Sequence, residues 1–135
     1  MKKTIFISGN FNILHPGHLR LMKFARELGD RLVVGVISDK LGGDVIHIPE
    51  QLRLEGLSAN SLVDEVMLIN DSLDTVIQNL KPDFVVKGKE HEDRSNLELA
   101  AVESYGGKLI FSSGEVSFSS LDLINKNLEN EAQDA

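Results

Sequence analysis

The chain has 135 residues, of which 41% are hydrophobic and 26% are charged, and its formal net charge is −7. This length suits one domain with its own core, no run approaches the ~18 to 20 apolar residues of a membrane span, and no signal-peptide pattern is present. The absence of cysteine excludes disulfides and thiolate metal sites and fits a reducing, cytoplasmic compartment, while the acidic balance argues against a general nucleic-acid binder.

Five short apolar runs predict the strands of a sheet, at residues 4–7, 32–37, 65–69, 83–86 and 108–111. Each run is nearly continuous rather than alternating, which is typical of strands that are covered on both faces. The runs therefore predict a parallel sheet that lies between two layers of helices.

Apolar residues at helical spacing predict helices between and after these strands. The predicted faces are Leu21, Ala25 and Leu28 before Gly29; Leu73, Val76, Ile77 and Leu80 between Asp71-Ser72 and Pro82; Leu97, Ala100, Ala101 and Ser104 before Gly106-Gly107; and Leu121, Ile124 and Leu128. The longest irregular segment, residues 38–49, is a candidate functional loop. The alternation predicts one α/β domain over residues 1–135, a Rossmann-like doubly wound sheet of five parallel strands with helices on both faces, with an acidic tail at about 129–135.

The first strand-to-helix corner, SGNFNILHPGH, has the features of an anion site. Pro16 fits the first helical turn, so His15 lies at the cap and His18 inside that turn, with both imidazoles on one side. Gly17 allows a ligand to approach the backbone closely, and Gly9 keeps the strand exit open. The exposed N–H groups expected at the start of this helix and the positive end of its dipole favour a bound phosphate.

Two other interpretations of this corner stay open. Strand-to-helix turns use glycine and proline for structural reasons alone. The spacing H-x-x-H also supplies two metal ligands, but a zinc site needs at least a third. Because local spacing fixes no third ligand, the sequence assigns no metal site.

Five residues of the corner form the pattern G-x-F-x-x-x-H-x-G-H: Gly9, Phe11, His15, Gly17 and His18. This pattern resembles the signature of the nucleotidyltransferase superfamily that includes glycerol-3-phosphate cytidylyltransferase and heptose-1-phosphate adenylyltransferase. The usual form has an aspartate where this chain has Asn12, which puts a metal or electrostatic role of that position in doubt. Later segments follow the family's order, so the resemblance covers nearly the whole chain.

The resemblance implies a nucleotide site that several segments build together. Its catalytic residues are His15, His18, Lys40 and Arg53, and its nucleotide-binding residues are Gly9, Asn10, Phe11, His15, Gly17, His18, Lys87, Gly88, Ser117, Ser119 and Ser120. Simpler interpretations exist for most of the added residues. Lys40, Arg53 and Lys87 could be ordinary surface cations. Ser119 could cap a helix, since Asp122 follows three residues on.

The implied reaction transfers AMP or CMP from ATP or CTP to a phosphorylated sugar or polyol and releases pyrophosphate, as in the synthesis of cell-surface polysaccharide precursors. Mg²⁺ is expected to accompany the triphosphate, and the resemblance implies a homodimer without nucleic-acid or membrane partners. Gly114-Glu115 replaces the Arg-Thr of cytidylyltransferases, which favours the sugar-phosphate adenylyltransferase branch without deciding between ATP and CTP. The alternatives are a non-catalytic nucleotide-binding or regulatory domain of the same fold and, last, a two-histidine metal protein.

Overall fold

Five parallel strands form one sheet in the computed structural model, which describes residues 3–12, 16–88 and 98–112. The strands are β1 (Thr4–Gly9), β2 (Arg31–Ile37), β3 (Glu65–Ile69), β4 (Phe84–Gly88) and β5 (Lys108–Ser112). Their order across the sheet is β3-β2-β1-β4-β5. All five apolar runs are thus confirmed as strands. β1 and β4 each continue two residues beyond the predicted end, which brings Gly9 and Gly88 into the sheet.

The helices within the described ranges are α1 (Pro16–Leu28), α2 (Asp39–Gly42), α3 (Glu50–Ser58), α4 (Leu73–Leu80) and α5 (Glu98–Glu103), with a 3₁₀ turn at Gly43–Val45. The prediction of an irregular segment over residues 38–49 is wrong, because α2 and the 3₁₀ turn fill most of it. Ser38 caps the start of α2, since its hydroxyl accepts a hydrogen bond from the Leu41 N–H at 3.1 Å. The helix predicted around Leu121 lies outside the described residues.

Helices cover both faces of the sheet, which confirms the doubly wound fold. On one face, Ile5, Ile7, Val34 and Val36 pack against α1 and α3 through residues such as Met22, Phe24, Ala25 and Leu57. On the other, Phe6, Val33 and Val85 pack against Val76, Ile77, Ala101 and Val102 of α4 and α5. Neighbouring residues of one strand thus enter opposite cores, which is why the strands read as continuous apolar runs.

The buried face of α5 differs from the predicted one. Glu98, Ala101 and Val102 are buried, whereas Ala100 and Ser104 are exposed. The buried residues have helical spacing, but the face that they form includes a carboxylate, Glu98, which the predicted face did not contain. Glu98 can be buried on this face because its carboxylate pairs with a lysine of β4. Leu97 of the predicted face lies outside the described residues.

Candidate functional site

The central strand, β1, and its neighbour β4 separate toward their carboxyl ends. β1 and β4 pair only at Ile5 with Phe84 and at Phe6 with Val85, whereas β1 pairs with β2 along its whole length. The chain proceeds from β1 to β2 on one side and returns to β4 on the other, so the strand order reverses between β1 and β4. In open α/β sheets ligands bind at such a topological switch point, beyond the carboxyl ends of the strands.

A cavity of about 310 Å³ lies at this switch point. It is lined by Ser8, Gly9, Asn10 and Phe11 after and within β1, by His18 and Leu21 of α1, by Val86, Lys87 and Gly88 of β4, and by Glu98 of α5. The cavity therefore brings together six of the residues that the sequence assigned to the nucleotide: Gly9, Asn10, Phe11, His18, Lys87 and Gly88. Its volume is at the lower end of the range for small-molecule sites, about 300 to 1,000 Å³.

Phe11 fixes the side of the cavity where His18 lies. Its backbone has a φ of 52°, in the left-handed region that a bulky side chain rarely adopts, and its side chain is buried. The Phe11 and His18 rings pack with centroids 5.1 Å apart at an interplanar angle of 57°. A Cβ at Gly9 would lie 3.2 Å from Cε2 of Phe11, so glycine leaves room for the ring. The unusual backbone thus holds an aromatic wall against the imidazole.

Lys87 and Glu98 form an ion pair in the opposite wall. The Lys87 ammonium donates to Oε1 of Glu98 at 2.9 Å, and the two side chains are 20% and 10% exposed. The sequence assigned Lys87 to phosphate as a source of positive charge, but the structure places a carboxylate against it. The sequence patterns did not predict a place for Glu98 in the site. Its helical spacing with Ala101 and Val102, opposite a lysine at a strand end, is the signal that could have found it.

Arg53 lies inside the protein rather than in the cavity lining. It is 3% exposed, and its guanidinium donates to the carbonyls of Ile48, Asn10 and Ile37 at 2.8, 2.7 and 2.6 Å and to Oδ1 of Asp39 at 2.7 Å. Four of its five N–H donors are therefore used by protein oxygens. The geometry departs from the expected phosphate contact and makes Arg53 a clamp between the ends of β1 and β2 and the start of α3.

The amide of Asn12 holds the segment before α3. Its Nδ2 donates to the Val45 carbonyl at 2.8 Å, and its Oδ1 accepts from the N–H groups of His47 at 2.8 Å and Ile48 at 3.4 Å. An ionised aspartate accepts only, so it could not satisfy the Val45 carbonyl. The asparagine that departs from the family pattern thus supplies both the donor and the acceptor that this backbone segment needs.

The other predicted site residues have different positions. Lys40 is exposed on α2 and is not among the residues that line the switch-point cavity. Pro16 begins α1, as predicted, and Gly17 is the next residue of that helix. His15, Ser117, Ser119 and Ser120 lie outside the described residues. The roles assigned to all of them stay predictions.

The parallel sheet and the cavity at its switch point define a Rossmann-like α/β protein with a cavity at the place where open α/β sheets bind their ligands. The profile of the family described as "Cytidylyltransferase-like" matches residues 6–107, and the chain belongs to this family. This match confirms the superfamily resemblance that the corner motif predicted.

Curated relatives include proteins named bifunctional protein HldE. The one from Hyphomonas neptunium is 41% identical over 114 residues, which cover 80% of this chain and 24% of that protein. The one from Hydrogenovibrio crunogenus is 35% identical over 139 residues, which cover 98% of this chain and 29% of that protein. The chain therefore spans between 24% and 29% of the length of these two relatives.

Solved structures of similar fold include a lipopolysaccharide core biosynthesis protein from Thermoplasma volcanium, with a TM-score of 0.73 and 25% identity over 86% of this chain and 100% of that one. Pantoate-beta-alanine ligase from Francisella tularensis aligns with a TM-score of 0.60 and 16% identity, over 82% of this chain and 59% of that one, and so shares the fold alone. In the part of the chain that the structure describes, no helix is long and apolar enough to cross a membrane.

Proposed function

We propose that this protein transfers a nucleotidyl group, AMP or CMP, from ATP or CTP to a phosphorylated sugar or polyol in the synthesis of cell-surface polysaccharide precursors. The observation that carries the proposal is the position of His18, which enters the switch-point cavity from the first turn of α1 between the ends of β1 and β4. Support also comes from the family and from relatives named HldE. The similar protein from Thermoplasma volcanium is described as a lipopolysaccharide core biosynthesis protein, which favours the same class of acceptor.

In the proposed step, a phosphate oxygen of the acceptor attacks the α-phosphorus of the triphosphate. A new P–O bond forms there as the bond to the oxygen between the α- and β-phosphorus breaks, and pyrophosphate leaves with that oxygen and its electron pair. The acceptor is already a nucleophile, so no covalent intermediate with the protein is required. The protein then contributes mainly by orienting the two reactants and by stabilising charge on the phosphoryl oxygens.

The residues of the cavity divide these tasks. His18 and the N–H groups at the start of α1 would contact the phosphate that changes partners. Phe11 would keep the His18 ring in place through their packing contact. Arg53 would act indirectly, because it donates a hydrogen bond to the carbonyl of Asn10 and thereby positions the segment that follows β1. His15 is assigned beside His18 on the sequence alone.

Mg²⁺ is proposed to arrive with the triphosphate rather than to occupy a protein site. Among the described residues, no group of three or more His, Cys, Asp or Glu side chains could hold a metal ion. The carboxylate of Glu98 is the acidic group in the cavity lining, and Lys87 already pairs with it. The described donor set thus does not fit a dedicated metal cage, and no step of the proposed mechanism depends on one. Magnesium commonly binds substrate phosphates while keeping several waters.

Pyrophosphate release with ATP or CTP and a panel of sugar phosphates tests the proposal. We expect turnover with at least one pair of substrates, and we expect His18→Ala to lower kcat about 100- to 1,000-fold, the usual effect of losing one preorganised transition-state donor. His47→Ala is the matched control, because His47 is exposed and does not line this cavity. A His18→Ala enzyme that keeps more than about a tenth of the wild-type turnover would exclude the proposed role.

The same experiment distinguishes an enzyme from the alternative, a non-catalytic nucleotide-binding domain. If calorimetry detects triphosphate binding while no acceptor supports pyrophosphate release, the chain is a nucleotide-binding domain that has lost, or never had, transfer activity. Stoichiometric metal binding without nucleotide would instead support the two-histidine metal protein.

A further inference from the structure

Glu98 places a carboxylate in a cavity that is proposed to bind a polyanion. The residue is 7% exposed, yet it lines the switch-point cavity together with His18 and Lys87. Buried charges are retained in proteins when they are paired, and Lys87 supplies that pairing through Oε1 at 2.9 Å. The pair explains how Glu98 is tolerated, but it does not explain why a carboxylate faces this space.

The two walls of the cavity differ in what they can bind. The wall formed by His18 and the start of α1 consists of groups that carry hydrogen-bond donors, which is the chemistry that phosphate oxygens require. The wall formed by Glu98 offers acceptors, because an ionised carboxylate has two oxygens with about four lone-pair sites and no donor. Because the Lys87 ammonium is directed at Oε1 of Glu98, the acceptor capacity that remains on the carboxylate suits a hydroxyl, which can donate, better than an ionised phosphate oxygen, which cannot. Lys87 orients the carboxylate and leaves acceptor capacity on it.

We propose that Glu98 is a specificity-determining residue that accepts a hydrogen bond from a sugar hydroxyl of the bound substrate. The hydroxyl belongs either to the ribose of the triphosphate or to the phosphorylated acceptor, and both offer the same chemistry to the carboxylate. This inference rests on the proposed function, and it deepens that function by assigning the Glu98 side of the cavity to the neutral, hydroxyl-bearing part of a substrate.

The test compares each ligand with its deoxy analogues. Calorimetry gives the Kd of ATP and CTP and of their 2′-deoxy and 3′-deoxy forms, and pyrophosphate release gives the KM of each accepted sugar phosphate and of its monodeoxy forms. In the wild type, removal of the contacted hydroxyl should weaken binding about 10- to 100-fold, as expected for a hydrogen bond to a charged group. In Glu98→Ala, the same removal should change binding less than about twofold, because the partner is already absent.

Two further variants complete the design. Glu98→Gln keeps the shape of the side chain and an oxygen for Lys87, so it serves if Glu98→Ala does not fold, and it should reduce the deoxy penalty several-fold. Glu103→Gln is the matched control, because it removes the same charge from the exposed end of the same helix and should leave the penalty unchanged.

The possible outcomes show which substrate carries the bound hydroxyl, and they distinguish failure of this proposal from failure of the proposed function. If the loss of affinity for a deoxy nucleotide seen in the wild type is absent in Glu98→Ala, Glu98 binds the ribose. If the loss of affinity for a deoxy sugar phosphate is absent in Glu98→Ala, Glu98 binds the acceptor sugar. Equal penalties in the wild type and in the Glu98 variants overturn the proposal and leave Glu98 as a partner of Lys87 alone. If no substrate pair turns over, the proposed function fails, and calorimetry then decides for or against Glu98 with the same nucleotides and with each sugar phosphate and its monodeoxy forms.

Discussion

Replacement of Arg53 decides between two roles for this residue. The resemblance assigns Arg53 to a phosphate, whereas the structure shows its guanidinium bonded to three carbonyls and to Asp39. Arg53→Met keeps most of the aliphatic stem and removes all the donors. The three carbonyls would then lose their partner at a position where the arginine is only 3% exposed, and Asp39 would lose its ion pair.

The expected loss of stability is large. Each buried polar group that is left unsatisfied costs about 1–3 kcal/mol, but water can reach some of these groups, because the Asp39 side chain is 45% exposed. Removal of one partner of a buried pair typically costs about 3–5 kcal/mol, and we adopt that range for Arg53→Met. A typical domain has a free energy of unfolding of about 5–15 kcal/mol. Arg53→Lys should recover part of the loss, since one ammonium cannot reach four acceptors in different directions.

Urea unfolding followed by circular dichroism measures this effect, with kcat determined on the same preparations. Arg20→Met is the control, because Arg20 is exposed on α1 and surface substitutions usually change stability by less than about 0.5 kcal/mol. If Arg53 is a structural clamp, Arg53→Met should unfold at a lower urea concentration than the wild type and Arg20→Met. An Arg53→Met protein that is as stable as the control but inactive would refute this reasoning and restore Arg53 to the phosphate.

Two other substitutions test contacts of the fold. Asn12→Asp should lower the free energy of unfolding by about 1–2 kcal/mol and speed amide exchange at His47, because the donor to the Val45 carbonyl is lost; unchanged exchange would contradict the amide's role. Burial raises the pKa of the Tyr105 phenol from 10.0 to about 12, so the stability that its neutral form contributes is present below pH 10 and is lost as the pH rises through about 12. Tyr105 is the single tyrosine in a chain without tryptophan, so phenolate absorbance reports it directly, and Tyr105→Phe should abolish this pH dependence.

The strands and their layers could be predicted because burial on both faces leaves a direct trace in the sequence. β2 shows this best, since all its residues between Arg31 and Ile37 are buried, and the run reads as continuous apolar sequence. α4 could be predicted for a similar reason: Ser72 caps it, its apolar residues recur at helical spacing, and Pro82 follows. In each case one local physical cause acts on neighbouring residues.

The polar interior could not be predicted in the same way. Arg53 and Glu98 are charged residues that the structure buries, and hydrophobic periodicity treats both as surface. Their burial depends on partners that are distant in sequence, since Arg53 bonds Asn10 at a separation of 43 residues and Glu98 bonds Lys87 at a separation of 11 residues. Such pairs become visible only when the strand order is known. The motif located the correct corner, but it could not show which cations were already paired.

These pairs change how an acidic chain can bind a triphosphate. Three lysines and arginines within the described ranges were assigned to phosphate. Lys87 lines the cavity and pairs with Glu98, Arg53 pairs with Asp39 outside the lining, and Lys40 is exposed and does not line it. The switch-point cavity therefore contains little uncompensated positive charge from these side chains. In the proposed reaction the phosphates would then depend on directional donors, namely the His18 ring and the N–H groups at the start of α1, together with the magnesium that the nucleotide carries. Directional donors select the position of a phosphate more sharply than a diffuse positive field does. The acceptor wall at Glu98 would complete that selection by favouring hydrogen-bond donors, such as sugar hydroxyls, beside it.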